Sequence, residues 1–132
     1  MHLVITGGAG FLGVRLARTL LQRGTLALAG AAPQPITRLT LVDRAAPPVD
    51  LTADARVQVV TGDLNELLTP DAHGTTRAVP ADAQAVVHLA AAVSGECEAD
   101  FDLGLRSNLD ATRALLQACR RLGTPPVFVF SS

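Results

Sequence analysis

The chain has 132 residues, 48% of them apolar, and a formal net charge of −1. That is one domain with enough apolar matter for a core, and the absence of any basic stripe excludes a nucleic-acid surface. Apolar runs such as residues 85–93, broken by His88, are far too short to cross a bilayer, and the N-terminus reads as a strand, not a charged signal segment, so a soluble cytoplasmic protein is expected.

The first element is a strand, His2–Thr6, which feeds directly into Thr6-Gly7-Gly8-Ala9-Gly10-Phe11-Leu12-Gly13. A helix follows over residues 10–23, with Leu12, Val14, Leu16, Ala17, Leu20 and Leu21 at helical spacing and Gly24 as its stop. Strand, glycine turn and helix in this order form a dinucleotide cradle. One glycine turns tightly, one lets backbone approach a pyrophosphate, and one lets helix pack on strand. A Cβ at Gly10 would occupy phosphate space. The unpaired amides of the first helical turn, at Phe11, Leu12 and Gly13, then meet the anion without any lysine.

Residues 29–35 are rich in Gly, Ala and Pro and read as a loop before a second strand, 38–42, which Asp43 closes. Residues 45–48 break the chain again, 57–60 form a short third strand, and Gly62-Asp63-Leu64 turns out of it into a weak helix over 64–68. Residues 69–80 are polar, with Gly74 and two prolines, and read as a surface loop. Residues 84–90 form strand four. A long amphipathic helix is expected over 99–122, with Leu105, Leu109, Leu115, Leu116, Cys119 and Leu122 near helical spacing. Val127–Phe130 reads as a fifth, fully buried strand, although as the last of five it would be an uncovered edge. The alternation predicts an α/β fold, a Rossmann-type doubly wound parallel sheet truncated after the fifth strand. A complete sheet of this kind has six or more strands, so residues 1–132 are expected to be the N-terminal part of a dinucleotide-binding domain, with a C-terminal substrate-binding part beyond them.

Asp43 ends strand two, where a carboxylate accepts from both adenosine ribose hydroxyls and repels a 2′-phosphate; that favours NAD, while the neighbouring Arg44 leaves NADP open. An ordinary strand-ending aspartate is the competing view. His88 inside an apolar strand reads as a satisfied core histidine. Asn108 in mid-helix is unfavourable by propensity, so it either faces inward on a hydrogen-bonding task or faces solvent. Cys97 and Cys119 form no Cys-x-x-Cys pair, so reduced structural thiols are expected and no metal site. The sequence contains no tyrosine, and all 11 basic residues are arginine. Any reaction needing tyrosine or lysine draws them from outside these residues.

In order, the glycine motif, Asp43, Gly62-Asp63-Leu64, His88-Leu89-Ala90-Ala91, Asn108 and Ser131-Ser132 resemble the extended short-chain dehydrogenase/reductase family, the NAD-dependent epimerases and dehydratases, across the whole chain. The stretch from His88 to Asn108 looks like the branch that oxidises the four-carbon sugar acid D-erythronate. The resemblance implies NAD as cofactor and oxidation of a C2 hydroxyl, the hydroxyl losing its proton while hydride passes from C2 to the nicotinamide. It implies Asp63 and Leu64 at the adenine, unless Asp63 merely satisfies its own turn. It places Leu89, Ala90, Ala91, Asn108 and Ser131 along the cofactor. Ser94 and Gly95 fall near the substrate, with a plain loop as the alternative, and Ser132 becomes the catalytic serine. The tyrosine and lysine of a Tyr-x-x-x-Lys motif would lie downstream. A nucleotide-sugar epimerase and a non-catalytic NAD-binding regulatory module share these cofactor motifs. The long helix from Ala99 is the candidate face for a homodimer.

Overall fold

Every residue of β1, His2–Thr6, is buried, as a central strand of a parallel sheet covered on both faces must be. The computed structural model describes residues 1–92 and 94–131. On one side β1 pairs in parallel with β4, Arg38–Asp43, and on the other with β6, Ala85–His88. β5, Val57–Thr61, lies outside β4, and β7, Val127–Phe130, outside β6, giving the order β5-β4-β1-β6-β7. The chain builds one half of the sheet outward from β1, then crosses back to build the other. The carboxyl ends of β1 and β6 therefore open onto a topological switch point, where doubly wound sheets bind ligands.

The strand period of two divides the core between the faces. Leu3 and Ile5 of β1 join Leu39, Leu41 and Ala85 against Ala17 and Leu20 of α1, Phe11–Arg23, and Leu51 of α2, Val49–Thr52. Val4 joins Val42 and Val86 against Leu67 of α3, Leu64–Leu67, and Leu115, Ala118 and Cys119 of α6, Ala111–Arg121. Each fully buried leucine or valine adds about 1.5–3 kcal/mol of apolar burial, so both helical layers are fastened to the sheet.

Several expectations need correction. The 29–35 loop is in part paired: β2, Thr25–Leu26, and β3, Gln34–Pro35, form a two-strand antiparallel ribbon, with Ile36 buried behind it. The 69–80 segment is not wholly on the surface, since Thr76, Ala78 and Val79 are buried. The Thr76 hydroxyl accepts from the Val79 N–H, and the Ala78 N–H donates to the Leu67 carbonyl, which tucks the segment under the sheet. The long helix is divided. α4, Ser94–Ala99, ends before Asp100, whose carboxylate caps α5, Phe101–Gly104, by accepting from the Leu103 N–H. A π-helical turn, Leu105–Asp110, joins α5 to α6. β7 is not fully buried: Val129 is 52% and Phe130 56% exposed, as an edge strand requires. Among the described residues no helix is long and apolar enough to cross a membrane.

His88 is the satisfied core residue expected of it. The Thr112 hydroxyl donates to the Asn108 carbonyl, so its oxygen is left to accept from His88 Nε2–H at 2.9 Å, and Nδ1 accepts from the Thr6 hydroxyl at 2.6 Å. That network fits neutral imidazole, and burial lowers the His88 pKa from its ordinary value. Above pH of about 6.5 both folded and unfolded chains carry neutral imidazole and this group is silent. Below it the unfolded chain takes a proton that the folded one refuses, so stability falls as pH drops from there toward the lowered folded pKa. Urea midpoints of the full-length protein are expected to fall between pH 7.5 and 5.5, and the fall to be shallower in His88→Gln. Equal slopes in the two proteins would remove His88 as the source.

Candidate functional site

The turn leaving β1 is held by main chain. The Gly7 and Gly8 N–H groups both donate to the Val42 carbonyl, at 2.9 and 3.2 Å, and the Gly10 N–H donates to the Gly7 carbonyl at 3.1 Å. Gly7 has φ +73°, and a Cβ there would sit 2.8 Å from the Ala90 nitrogen, so only glycine lets this turn lie against the exit of β6. At Gly13 a Cβ would lie 2.1 Å from the Gly7 carbonyl oxygen: this glycine lets α1 pack on the turn. At Gly10 it would meet only the Gly7 oxygen, at 3.3 Å, and otherwise project into open space over the turn.

Gly10 caps α1 without a side-chain acceptor, and the first turn of that helix carries no acidic residue. The first carbonyl it uses serves the Val14 N–H. Among the described residues, the N–H groups of Phe11, Leu12 and Gly13 have no acceptor. Three amides and the positive end of a 13-residue helix therefore face the same space, an arrangement that binds an anion. The side chains of Phe11 and Leu12 are exposed, so what these two residues present at the turn is backbone.

Over the turn lies a cleft of about 280 Å³ at the carboxyl ends of the strands. Gly7 and Gly10 form its base, Asp43, Asp63 and Leu64 one wall, and Leu89, Ala90 and Ala91 the other. The site residues read from β1, β4, β5 and β6 are thus brought together. Asp43 is half-buried; its Oδ2 accepts from the Ala9 N–H at 2.9 Å and so ties the end of β4 to the glycine turn. Asp63 caps α3, accepting from the Asn65 N–H at 2.9 Å, and its other oxygen pairs with the Arg44 guanidinium, which holds the carboxyl below the usual carboxylate range. It does satisfy its own turn, and it also faces the cleft.

Asn108 lies in the π-helical turn outside the cleft. Its Oδ1 accepts from the Ala92 N–H at 2.8 Å and its Nδ2 donates to the Ala92 carbonyl at 3.1 Å, clamping the segment that leaves β6. π-turns are rare and recur at functional sites, and this one sets the amide against that segment. Gly95 is in the first turn of α4, so the plain-loop alternative does not describe it. The Ser131 N–H donates to the His88 carbonyl at 3.2 Å, so Ser131 continues the β6–β7 pairing to the end of the strands. Ser132, and the side chain of Ser94, lie outside the described residues. Of the two free thiols, Cys119 is buried, which pushes it up to about 11 and leaves it unreactive at neutral pH.

Sequence reasoning missed Ala92 and Glu96, which also line the cleft, and the packing role of Gly8, where a Cβ would sit 2.8 Å from that of Leu41. The glycine run itself carried the Gly8 signal. Nothing in the sequence announced the other two.

A family profile described as the NAD dependent epimerase/dehydratase family matches residues 3–132. The D-erythronate dehydrogenase of Cupriavidus necator is 58% identical over all 132 residues, which make up 38% of its length. Among solved structures, the nucleoside-diphosphate-sugar epimerase from Agrobacterium tumefaciens matches 100% of the chain and 37% of its own, at TM-score 0.74 and 33% identity. MoeE5, solved with UDP-glucose and NAD, matches 100% of the chain and 36% of its own, at TM-score 0.69 and 27% identity.

Proposed function

Because the chain belongs to the NAD dependent epimerase/dehydratase family, we propose that the protein it is part of is a dehydrogenase that oxidises the C2 hydroxyl of D-erythronate to the 2-oxo acid. NAD is the cofactor, and the residues present fit it: three acceptor-free amides over a glycine turn suit a diphosphate. When bound, NAD supplies the hydride acceptor. The observation that carries the choice of substrate is the 58% identity to a D-erythronate dehydrogenase over all 132 residues.

In this reading the Phe11, Leu12 and Gly13 amides hold the diphosphate, with Gly7 and Gly10 giving it room. Asp43 accepts from the adenosine ribose hydroxyls, and Asp63 and Leu64 border the adenine. Leu89, Ala90, Ala91 and Ser131 line the remaining path with main chain and small side chains. Asn108 acts through Ala92, keeping that path in register. The Ser132 hydroxyl donates to the reacting substrate oxygen, and Ser94 and Gly95 take the sugar-acid carboxylate or a hydroxyl. Residues 1–132 form the N-terminal part of the cofactor domain; the rest of the protein supplies the substrate-binding part and the tyrosine and lysine. Removal of the hydroxyl proton falls to that tyrosine, the role the family resemblance implies for it. The exposed Phe101, Leu109 and Leu116 give the divided helix an apolar face for a homodimer.

A second reading, a nucleotide-sugar epimerase, draws on the 33% identity to the A. tumefaciens enzyme. The two differ in net redox change. Full-length protein given NAD and D-erythronate is expected to accumulate reduced cofactor, followed by its absorbance. Turnover of a UDP-sugar with no accumulation, and silence toward D-erythronate, would reverse the assignment.

A further inference from the structure

We propose that the ion pair between Arg44 and Asp63 is a coenzyme-selectivity latch: Asp63 binds the guanidinium that would otherwise serve a ribose 2′-phosphate next to Asp43, and so keeps the cleft selective for NAD over NADP. The inference rests on the dinucleotide reading of the cleft and concerns which dinucleotide it accepts.

Among the described residues Arg44 is the only cationic side chain lining the cleft, against three carboxylates, Asp43, Asp63 and Glu96. It directly follows the ribose-side aspartate, where an arginine is placed to accommodate a 2′-phosphate. Taken from sequence alone, this arginine leaves NADP open. The structure gives it a partner instead: Nη2 of Arg44 meets Oδ2 of Asp63 across the gap between the ends of β4 and β5. Asp63 is itself fixed, because its second oxygen caps α3 on the Asn65 N–H at 2.9 Å. A capped carboxylate is a rigid anchor, and a guanidinium drawn to it has its charge matched. The Asp63 pKa, lowered first of all by the Arg44 hydrogen bond, agrees that this carboxyl is ionised at neutral pH. A 2′-phosphate entering beside Asp43 would have to break this pair to gain a counter-charge, a cost that NAD does not meet.

Asp63→Asn keeps an N-cap side chain, so α3 retains its start, while the anion that holds Arg44 is gone. The adenine is the same in NAD and NADP, so any weakening of its binding by the substitution cancels in the ratio of their affinities. Calorimetric titration of the full-length protein with each dinucleotide is expected to show the NAD preference of Asp63→Asn narrowed by about tenfold, the worth of one charge-assisted hydrogen bond. In Asp63→Asn/Arg44→Gln the preference is expected to return toward the wild-type value, since the released cation is then absent. Wild-type selectivity retained in Asp63→Asn overturns the latch. So does a narrowing that survives in the double variant, which would be a general field effect of removing one negative charge. Wild-type protein that binds neither dinucleotide overturns the cofactor reading itself, a result distinct from either of these.

Discussion

Gly13→Ala is expected to cost the full-length protein about 2–3 kcal/mol of stability and most of its NAD affinity, the upper part of the range for overpacking. The added Cβ would lie 2.1 Å from the Gly7 carbonyl oxygen and 2.8 Å from the Gly8 Cα. Both are backbone, so no rotamer change relieves the clash; α1 must lift from the turn. Alanine's better helix propensity recovers only about 0.5–1 kcal/mol. Lifting α1 also moves the three acceptor-free amides away from the turn they overlook. Gly10→Ala is the informative contrast, because its Cβ meets only one atom, at 3.3 Å, and faces the cleft. Stability there is expected to change by less than about 1 kcal/mol while NAD affinity falls tenfold or more. Urea denaturation and calorimetric titration of both variants separate the two effects. Unchanged NAD affinity in Gly10→Ala would place the diphosphate away from α1.

The contrast follows from what a sequence can and cannot encode locally. β1 and β7 stand where their apolar runs and flanking turns put them, and α1 runs from the glycine turn to Gly24 as its spacing predicts. The Gly7, Asp43, Asp63 and Leu89 positions were legible because each lies at or just beyond the end of a strand, and a parallel sheet brings all strand ends to one side. β6 is shorter than expected, four residues from Ala85, because Leu89 and Ala90 leave the sheet to border the Gly7 turn, a tertiary contact with no local signature. The divided helix is a further case. Ala111, Leu115, Ala118 and Cys119 form one buried stripe, but Leu105 and Leu109 fall off it, Leu109 being 59% exposed. A π-turn adds a residue to one turn and so rotates the apolar face, which blurs a single period fitted across both halves. Asn108 stands out as misplaced in a helix interior, yet it does not face inward: it is exposed, with its amide bonded to main chain. Its partner, the main chain of Ala92, depends on a turn that periodicity cannot reveal.

Asp43→Asn is expected to raise the Kd for NAD by about tenfold to a hundredfold, the worth of one charged hydrogen bond to a ribose hydroxyl. The turn itself should survive the change. Asparagine retains a carbonyl oxygen for the Ala9 N–H, now accepted by Oδ2 of Asp43 at 2.9 Å, so the link between β4 and the glycine turn persists. What is lost is the negative charge, and with it both the attraction for a ribose diol and the repulsion of a 2′-phosphate. For NADP these losses oppose each other, and its Kd should move by only a few-fold. The direction of the selectivity change matches that expected of Asp63→Asn, but its origin does not. Here NAD binding weakens, whereas releasing Arg44 strengthens NADP relative to NAD. Titrating both dinucleotides into both variants therefore resolves two separate roles on one wall of the cleft, and equal weakening of NAD and NADP in Asp43→Asn would take Asp43 out of the ribose site.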